Sequence, residues 1–482
     1  MKNVLGNLKP NDVFTYFEEL TRIPRGSGNE GEVSDYLVEF AKKNNLEYIQ
    51  EECKNVIIKK SATKGYENGK RVILQGHMDI VCAKNEDYEF DFEKDPIELV
   101  IDGDFIRTKG TTLGADNGIA VAMSMAILAS NEIEHPEISA LFTISEETGM
   151  DGALLLNSES IKGDLLINID SEEEGTVLSS CAGGVNSNIH MSYDKVKNDK
   201  ETYEISIKGL IGGHSGIEIN KNRASAIKLM GRLLRKIDNK MDYNLSSING
   251  GEKMNAIPKR CSAIISINDN EIKVLENLLN EMQNVFSSEF EISDPEIKIY
   301  IKKIENEEFY INENDKNRLI SLIRLIPQGV QTMSSKMVGL VESSNNLGVI
   351  ETKENEIYII NAIRSSVKSL KDEIINRIKE ISDLVKATNC LEADYPEWEY
   401  KIDSPIRDLM IERYKTLYNK ELKVDAIHAG LECGLLKEKV GDIDMISMGP
   451  NIYDVHTPDE HLSISSTERV YNFLVEVLKE IK

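Results

Sequence analysis

The stretch Val72-Ile73-Leu74-Gln75-Gly76-His77-Met78-Asp79-Ile80-Val81 decides the fold, because an apolar run leads directly into a histidine and an aspartate. A short apolar run that follows a turn signal, here Asn68-Gly69, is typical of a buried strand. Side chains two residues apart in a strand point to the same face. His77 and Asp79 are therefore predicted to project together where the strand ends. They form either a metal ligand with its supporting carboxylate or a polar pair at a strand end.

Length and composition indicate a globular protein of two or three domains, since 482 residues exceed one ordinary core. A net charge of −25 argues against nucleic acid or a membrane as partner, because both favour basic surface. The first eleven residues lack the apolar core of a signal peptide. The six cysteines form no C-x-x-C pair, which favours free thiols in a reducing compartment. We therefore expect a cytoplasmic protein.

The first 186 residues alternate between strand and helix patterns. Helices are predicted over residues 11–23, 29–44 and 119–129, and strands over 46–60, 71–81, 139–145 and 164–169. This alternation predicts an α/β domain with a mixed, mostly parallel sheet flanked by helices.

Acidic residues and histidines follow the predicted strands of this domain. Ligands of parallel sheets gather at the carboxyl ends of the strands. The residues predicted at such ends are His77, Asp79, Glu146, Glu147 and Asp170, and Asp116 lies in a Gly-rich turn that enters a helix. This turn contains no phosphate-binding motif, so nucleotide binding is not indicated. Each carboxylate alone is explained as solvated surface, but surface carboxylates would scatter over both edges of the sheet.

From about residue 185 the pattern changes to strand-like segments alternating with amphipathic helices, with few clustered ligand types. One predicted strand covers residues 336–342. We interpret this region as a second domain, in one or two lobes. The chain returns to helix from about residue 400, and this last part carries His456.

Two imidazoles and three carboxylates stand out as one set: His77, Asp116, Glu147, Asp170 and His456. Two neighbouring divalent ions that share a bridging carboxylate would each receive a histidine and a second carboxylate. Such nitrogen and oxygen ligands suit zinc, and also manganese or cobalt. Two such ions activate water and polarise a carbonyl group. Glu146 could remain unligated and move the proton of the water.

Several motifs resemble those of the co-catalytic zinc peptidases of the aminoacylase and glutamate carboxypeptidase family. They are GHMDIV at 76, GTTLGADNGIA at 110, ISEETGMDGA at 144, INIDSEEEG at 167 and YDVHTPDEHLSI at 453. Further matches are PRGSGNE at 24, IGGHSG at 211 and HAGLECG at 428. Within the family, the chain is most similar to the branch that cleaves Xaa-His dipeptides such as β-alanyl-histidine.

The resemblance implies a role for each candidate. Asp116 would bridge two zinc ions, with cobalt or manganese as alternatives, and a cis peptide bond often follows this aspartate in the family. His77 and Asp170 would complete the coordination of one ion, and Glu147 and His456 would complete that of the other. Asp79 would support His77 without binding a metal, and Glu146 would be the general base. The resemblance also implies that 187–398 is an inserted α+β lid domain, in one or two lobes, and that the catalytic domain comprises residues 1–186 and 399–482.

Four further residues are candidates for contact with substrate. His214 would stabilise the oxyanion, although a solvent-facing histidine in a Gly-rich turn is the alternative. Arg364 would hold the C-terminal carboxylate, or else form a surface salt bridge. Asn255 would hydrogen-bond substrate or make a turn, and Glu432 would meet the substrate's amino group. His135 and His461 are interpreted as surface or structural residues.

The function implied is hydrolysis of dipeptides, with a C-terminal histidine preferred, by a metallopeptidase. The alternative within the family is an aminoacylase or a tripeptide aminopeptidase. A non-catalytic binding protein is disfavoured, because Glu146 stands beside a full set of ligand types. The expected partners are the dipeptide substrate and a second copy of the chain in a homodimer.

Overall fold

The structure, a computed structural model, describes residues 4–482. The chain divides into two compact units. Unit 1 contains the described residues up to Ser180, together with Tyr400–Ala426 and Leu431–Lys482, and unit 2 contains Cys181–Glu399 and Ile427–Gly430. Each unit has its own hydrophobic core. The short segment Ile427–Gly430 belongs to unit 2 because the amide of Ala182 donates hydrogen bonds to the carbonyls of Ile427 and Ala429.

The α-helices, numbered in chain order, are α1 (Asn11–Leu20), α2 (Gly31–Lys43), α3 (Ala115–Ala129), α4 (Glu146–Gly149), α5 (Asp151–Leu155), α6 (Ala226–Asp238), α7 (Ile272–Glu289), α8 (Glu313–Leu325), α9 (Lys368–Leu384), α10 (Pro405–Tyr418), α11 (Glu432–Val440) and α12 (Ile464–Glu480). None of the helices within residues 4–482 has both the length and the apolar character needed to cross a membrane.

The strands are β1 (Glu47–Gln50), β2 (Val56–Lys60), β3 (Val72–His77), β4 (Leu99–Asp102), β5 (Phe105–Thr108), β6 (Ile138–Thr143), β7 (Leu165–Asn168), β8 (Thr176–Cys181), β9 (Gly183–Ser192), β10 (Lys195–Lys197), β11 (Glu201–Lys208), β12 (Gly213–His214), β13 (Asn244–Gly250), β14 (Ala256–Ile257), β15 (Cys261–Ile267), β16 (Lys298–Lys303), β17 (Phe309–Ile311), β18 (Gly329–Met333), β19 (Val341–Thr352), β20 (Glu356–Ser365), β21 (Thr388–Tyr395), β22 (Lys423–Ile427), β23 (Asp444–Ser447), β24 (Ile452–Tyr453) and β25 (His461–Ser463).

Unit 1 is built on an eight-stranded sheet in the order β1-β2-β6-β3-β7-β23-β8-β22. Its central strands β6, β3, β7 and β23 are parallel, and β1, β2 and β8 pair antiparallel. Every residue of β3 is buried, as expected for a parallel strand covered by helices on both faces. The predicted fold class is therefore confirmed, and the carboxyl ends of β3, β6 and β7 meet at one edge.

Unit 2 contains an eleven-stranded antiparallel sheet with the main order β16-β11-β15-β13-β19-β20-β9-β21. The apolar faces of α6, α7, α8 and α9 supply much of its core. The strand predicted at 336–342 is wrong. Ser334 accepts hydrogen bonds from the amides of Lys336 and Met337 through its hydroxyl, which closes a turn between β18 and β19. Local hydroxyl bonding therefore replaces strand pairing there.

Candidate metal centre

His77 is the last residue of β3, and its ring lies between two groups of oxygen atoms. Its Nδ1 lies 3.1 Å from the carbonyl oxygen of Asp79 and 3.3 Å from the Asp79 carboxylate. Its Nε2 lies 3.1 Å from Oδ1 of Asp116 and 3.4 Å from Oδ1 of Asp170. A proton on Nδ1 would be held by Asp79, which leaves the lone pair of Nε2 free for a cation.

Asp116 lies at the start of α3, where the chain departs from helical geometry at φ −81° and ψ 104°. The peptide bond that follows it is cis, as the family resemblance implies. Its Oδ1 faces His77, and its Oδ2 lies 3.1 Å from Nε2 of His456. Each carboxylate oxygen of Asp116 therefore faces a different histidine, which is the arrangement of a bridging ligand.

Glu147 and Asp170 complete the surroundings of the two histidines. Oε1 of Glu147 lies 3.0 Å from Nε2 of His456. The carboxylates of Asp116 and Glu147 beside this ring raise the pKa of His456 to about 10. Oε1 of Glu147 and Oδ1 of Asp170 are buried, and each lies within 3.4 Å of the Nε2 atom of a histidine. A cation held between these atoms would offset the cost of burying the carboxylates.

Two overlapping sets of ligand atoms result, each with members within 4.8 Å of one another. One contains His77, Asp116 and Asp170, and the other contains Asp116, Glu147 and His456. A third set, His77 with Glu146 and Glu147, meets the same distance limit. Imidazole nitrogens and carboxylate oxygens in this ratio suit a divalent ion such as zinc. The residues present therefore fit a pair of metal ions.

Glu146 follows a left-handed residue, Ser145 at φ 51°, and begins the short helix α4. The prediction placed Glu146 at a strand end, but β6 already ends at Thr143. Its carboxylate is partly exposed and makes no hydrogen bond within the described part of the chain. Burial, together with neighbouring carboxylates such as that of Asp170, raises the pKa of Glu146 well above its usual value. A carboxylate in this setting is able to accept a proton and release it again.

Asp79 is fully buried and binds the backbone of the next ligand segment. Its carboxylate accepts hydrogen bonds from the amides of Glu146 at 3.0 Å and Glu147 at 3.2 Å. The hydroxyl of Ser27 donates a third hydrogen bond at 2.7 Å. Asp79 thus joins the end of β3 to the start of α4, and its oxygens are already occupied by these donors.

Comparisons with known proteins identify the family. Residues 205–294 match the peptidase dimerisation domain. Over 479 residues the chain is 37% identical to the cytosol non-specific dipeptidase of Escherichia coli strain K12, and the alignment covers 99% of each protein. The chain belongs to the M20 family of metallopeptidases. This membership confirms the family resemblance seen in the sequence motifs.

Solved structures agree with this assignment. The structure of this chain resembles that of the aminoacylhistidine dipeptidase of Vibrio alginolyticus. The TM-score is 0.95 and the identity is 36%, over 99% of this chain and 98% of the other. The aminopeptidase PepT of Bacillus cereus ATCC 10987 gives a TM-score of 0.58 at 14% identity, over 98% of this chain and 99% of that one. The second likeness shows the fold alone.

The position of Glu432 in this M20 peptidase differs from the one expected from the sequence. It was expected to meet a substrate's amino group, but it is fully buried. Its Oε2 accepts hydrogen bonds from Gln75 at 2.6 Å and from Thr143 at 2.7 Å. Burial raises its pKa to about 7. Glu432 therefore joins α11 to β3 and β6 and is not exposed to a substrate.

In unit 2, His214 and Asn255 are neighbours, because β12 pairs with β14 and the amide of Ser215 donates to the carbonyl of Asn255. Nδ1 of His214 accepts the amide hydrogens of Gly216 at 3.2 Å and Ile217 at 3.3 Å. Burial and the charge of Arg364 lower the pKa of His214. The neutral ring therefore carries its proton on Nε2, where it is a hydrogen-bond donor.

Arg364 lies on β20 of unit 2 and is only partly exposed. One of its Nη atoms donates to the hydroxyl of Tyr395 at 2.9 Å, and its buried Nε has no partner within residues 4–482. No salt bridge between Arg364 and a carboxylate is found within the described residues. A guanidinium without a counter-charge is suited to bind an anion.

His428, also in unit 2, is buried with Nε2 2.7 Å from the hydroxyl of Ser344. Burial and the charge of Arg364 lower its pKa to about 3. The neutral ring is thus the folded form, whereas an unfolded histidine gains its proton below about pH 6.5. The stability that this residue contributes is complete above that pH and is lost as the pH falls towards 3.

We expect His428→Gln to reduce the acid sensitivity of unit 2. Between about pH 6 and 4, the free energy of unfolding should fall less steeply than in the wild type, by about 1.4 kcal/mol per pH unit. Trp398, the single tryptophan of the chain, lies in unit 2 and reports its unfolding by fluorescence in urea. Metal-free samples remove any contribution from ion release. Equal slopes in the two proteins would contradict the assignment.

Proposed function

We propose that this M20 peptidase is a dipeptidase that uses two divalent metal ions, zinc by preference, with cobalt or manganese as alternatives. One observation carries the proposal: two sets of ligand atoms share Asp116, and the unbonded carboxylate of Glu146 lies beside them. Two relatives that align over nearly the full chain are named dipeptidases. When bound, the ions would polarise the scissile carbonyl and acidify a water molecule.

The candidate side chains of unit 1 would each have a different role in the reaction. Asp116 would hold its two oxygens towards His77 and His456, which sets the spacing of the centre. Glu146 would take the proton of the attacking water and return it to the leaving amine. Asp79 would fix the ring of His77 and the backbone of α4 without acting as a ligand.

The side chains of unit 2 would bind the substrate. His214 would donate from Nε2 to the oxyanion that forms as the carbonyl becomes tetrahedral, which the acceptor role of its Nδ1 supports. Arg364 would hold the C-terminal carboxylate, which its lack of a counter-charge supports. Asn255, beside His214, would hydrogen-bond the peptide backbone of the substrate.

The finer proposal is a preference for a C-terminal histidine. The Vibrio relative is named an aminoacylhistidine dipeptidase, whereas the Escherichia coli relative is named non-specific. The preference is supported by the sequence motifs shared with the branch that cleaves Xaa-His dipeptides and by the name of the Vibrio relative.

A substrate panel tests both levels of the proposal. Dipeptides ending in histidine, including β-alanyl-histidine, are compared with other dipeptides, N-acetyl amino acids, tripeptides and dipeptide amides, with zinc, manganese or cobalt added. We expect dipeptides to be hydrolysed and those ending in histidine to have the highest kcat/KM. Arg364→Lys should raise KM for dipeptides by about 10- to 100-fold, because a forked charged contact is lost, and should not change turnover of the amides.

The outcomes are distinct. Preferential turnover of N-acetyl amino acids would indicate an aminoacylase, and preferential turnover of tripeptides would indicate a tripeptide aminopeptidase. Equal kcat/KM for all dipeptides would contradict the histidine preference but not the dipeptidase activity.

We also propose that the protein is a homodimer in the cytoplasm. The dimer is supported by the match of residues 205–294 to the peptidase dimerisation domain. The compartment is supported by the name of the Escherichia coli relative, a cytosol enzyme. Light scattering of the purified protein measures the number of chains.

A further inference from the structure

The backbone that carries Asp116 is held by a buried carboxylate. Glu460 is 2% exposed, and its two oxygens accept hydrogen bonds from four consecutive amides. The donors are Leu113 at 2.7 Å, Gly114 at 3.0 Å, Ala115 at 2.8 Å and Asp116 at 3.3 Å. Such contacts fix both the position and the rotation of the turn that enters α3.

A buried guanidinium holds the same turn through its carbonyl oxygen. Arg25 is 1% exposed and donates to the carbonyl of Gly114 at 2.7 Å and to that of Met78 at 2.8 Å. Gly114 has a φ of 72°, and a Cβ atom there would lie 2.8 Å from the guanidinium. At Gly118 it would lie 2.5 Å away. Arg25 therefore fits against backbone that only glycine allows.

Arg25 and Glu460 are buried ionisable side chains that hold the same turn from its carbonyl and its amide side. Burial lowers the pKa of Arg25 to about 10, and the charges of Glu460, Asp79 and Asp116 oppose that effect, so the guanidinium stays charged at neutral pH. A helix N-terminus could be capped by a short polar side chain at much lower desolvation cost. The use of two buried charges indicates a requirement for exact placement of this turn.

Three segments that carry candidate ligands meet at this pair. Met78 lies between His77 and Asp79, Gly114 lies two residues before Asp116, and Glu460 lies four residues after His456 in the same loop. Arg25 thus connects the end of β3 with the turn of Asp116. Glu460 connects that turn with the loop of His456.

We propose that Arg25 and Glu460 are positioning residues that set the Asp116 carboxylate between the two histidines. Glu460 also ties the His456 loop to Asp116, so that occupancy of the Asp116, Glu147 and His456 set depends on it. This inference depends on the metal centre of the proposed function, and it assigns a role to Arg25 of the PRGSGNE motif and to Glu460 of the YDVHTPDEHLSI motif.

The test compares Glu460→Gln with a matched control, Glu18→Gln. Glu18 is also a buried carboxylate of unit 1 that accepts two backbone amide hydrogens, those of Val4 and Leu5, and it contacts no ligand segment. Full-length proteins are freed of metal with a chelator and titrated with zinc against a chromophoric competitor. Thermal unfolding of the metal-free proteins measures the structural cost of each substitution.

We expect Glu460→Gln to raise the dissociation constant for one of the two zinc ions by about 10- to 100-fold, the range for groups that orient metal ligands. Glu18→Gln should leave both dissociation constants within about threefold of the wild type, whatever its Tm. Wild-type zinc affinity in Glu460→Gln would overturn the proposal. Zinc affinity lowered to the same extent in Glu460→Gln and Glu18→Gln would also overturn it.

A second variant with its own control tests the proposal if Glu460→Gln does not fold. Arg25→Lys keeps the charge, but a single ammonium group is poorly shaped to span the carbonyls of Met78 and Gly114. Arg407 is a buried arginine of unit 1 that donates to the carbonyls of Lys401 and Ile402, so Arg407→Lys is the control. We expect weaker zinc binding by Arg25→Lys alone. Unchanged affinity in Arg25→Lys would refute its positioning role.

Failure of the proposed function would look different. A wild type that binds two zinc ions but hydrolyses no dipeptide would contradict the function and leave the positioning role intact. A wild type that binds no zinc would contradict the metal centre itself and, with it, this inference.

Discussion

Glu146→Gln is expected to lower kcat for dipeptides by about two to four orders of magnitude, the usual contribution of a general base. Glutamine has nearly the same shape but cannot take up a proton. The Glu146 side chain makes no hydrogen bond within residues 4–482, so its replacement removes no structural contact. Fold and zinc content should therefore remain those of the wild type. Circular dichroism, elemental analysis and steady-state kinetics measure the three quantities.

The control for this variant is Glu173→Gln, which removes one negative charge from an exposed position of the same unit. It should change kcat by less than about threefold, since surface substitutions rarely have large effects. Wild-type kcat in Glu146→Gln would remove Glu146 from the mechanism. Loss of one zinc equivalent would instead assign Glu146 as a ligand, which the set of His77, Glu146 and Glu147 allows.

The long helices of unit 1 could be predicted because their signals are local. The predicted helix 405–419 corresponds to Pro405–Tyr418, where the hydroxyl of Ser404 caps the amide of Arg407 and Asn419 ends the helix in the left-handed region. The predicted helix 465–481 corresponds to Ile464–Glu480, capped by Ser463. In both cases, residues within one turn of the helix end determine where it stops.

The bend before Glu146 could not be predicted, because a distant residue holds it. The apolar run from Ser139 onwards predicts a strand that continues to Ser145. Ser145 instead adopts a left-handed conformation, and both its amide and its hydroxyl donate to the carboxylate of Glu30, 115 residues earlier. No pattern within a window of ten or twenty residues contains that contact.

The misplaced role of Glu432 has the same origin. A glutamate in a polar, Gly-rich segment is expected on the surface, since glutamate is rarely fully buried without partners. Its partners are Gln75 and Thr143, which lie on two different strands. Arg25 and Glu460 were also missed as functional residues, although both lie in motifs that carry the family resemblance. Buried charge becomes visible only after the strands are assembled.

His456→Ala is expected to reduce zinc content from two ions to one per chain and to lower dipeptide turnover by at least about 100-fold, since a catalytic metal contributes several kcal/mol. The imidazole supplies the only nitrogen of the set formed with Asp116 and Glu147. The set of His77, Asp116 and Asp170 keeps all its members. The ring is 47% exposed, so the loss of packing should be small.

His461→Ala is the control, because His461 begins β25 directly after the loop of His456 and contacts none of the candidate ligands within residues 4–482. Its ring stacks on Tyr453 at 5.0 Å and packs edge-on against Phe105 at 5.0 Å, which supports a structural role. This variant should lower Tm and keep two zinc ions, whereas His456→Ala should lose an ion with little change in the Tm of the metal-free protein. If both variants retain two zinc ions, His456 is not a ligand. If both lose one, the order of the loop and not the imidazole determines binding.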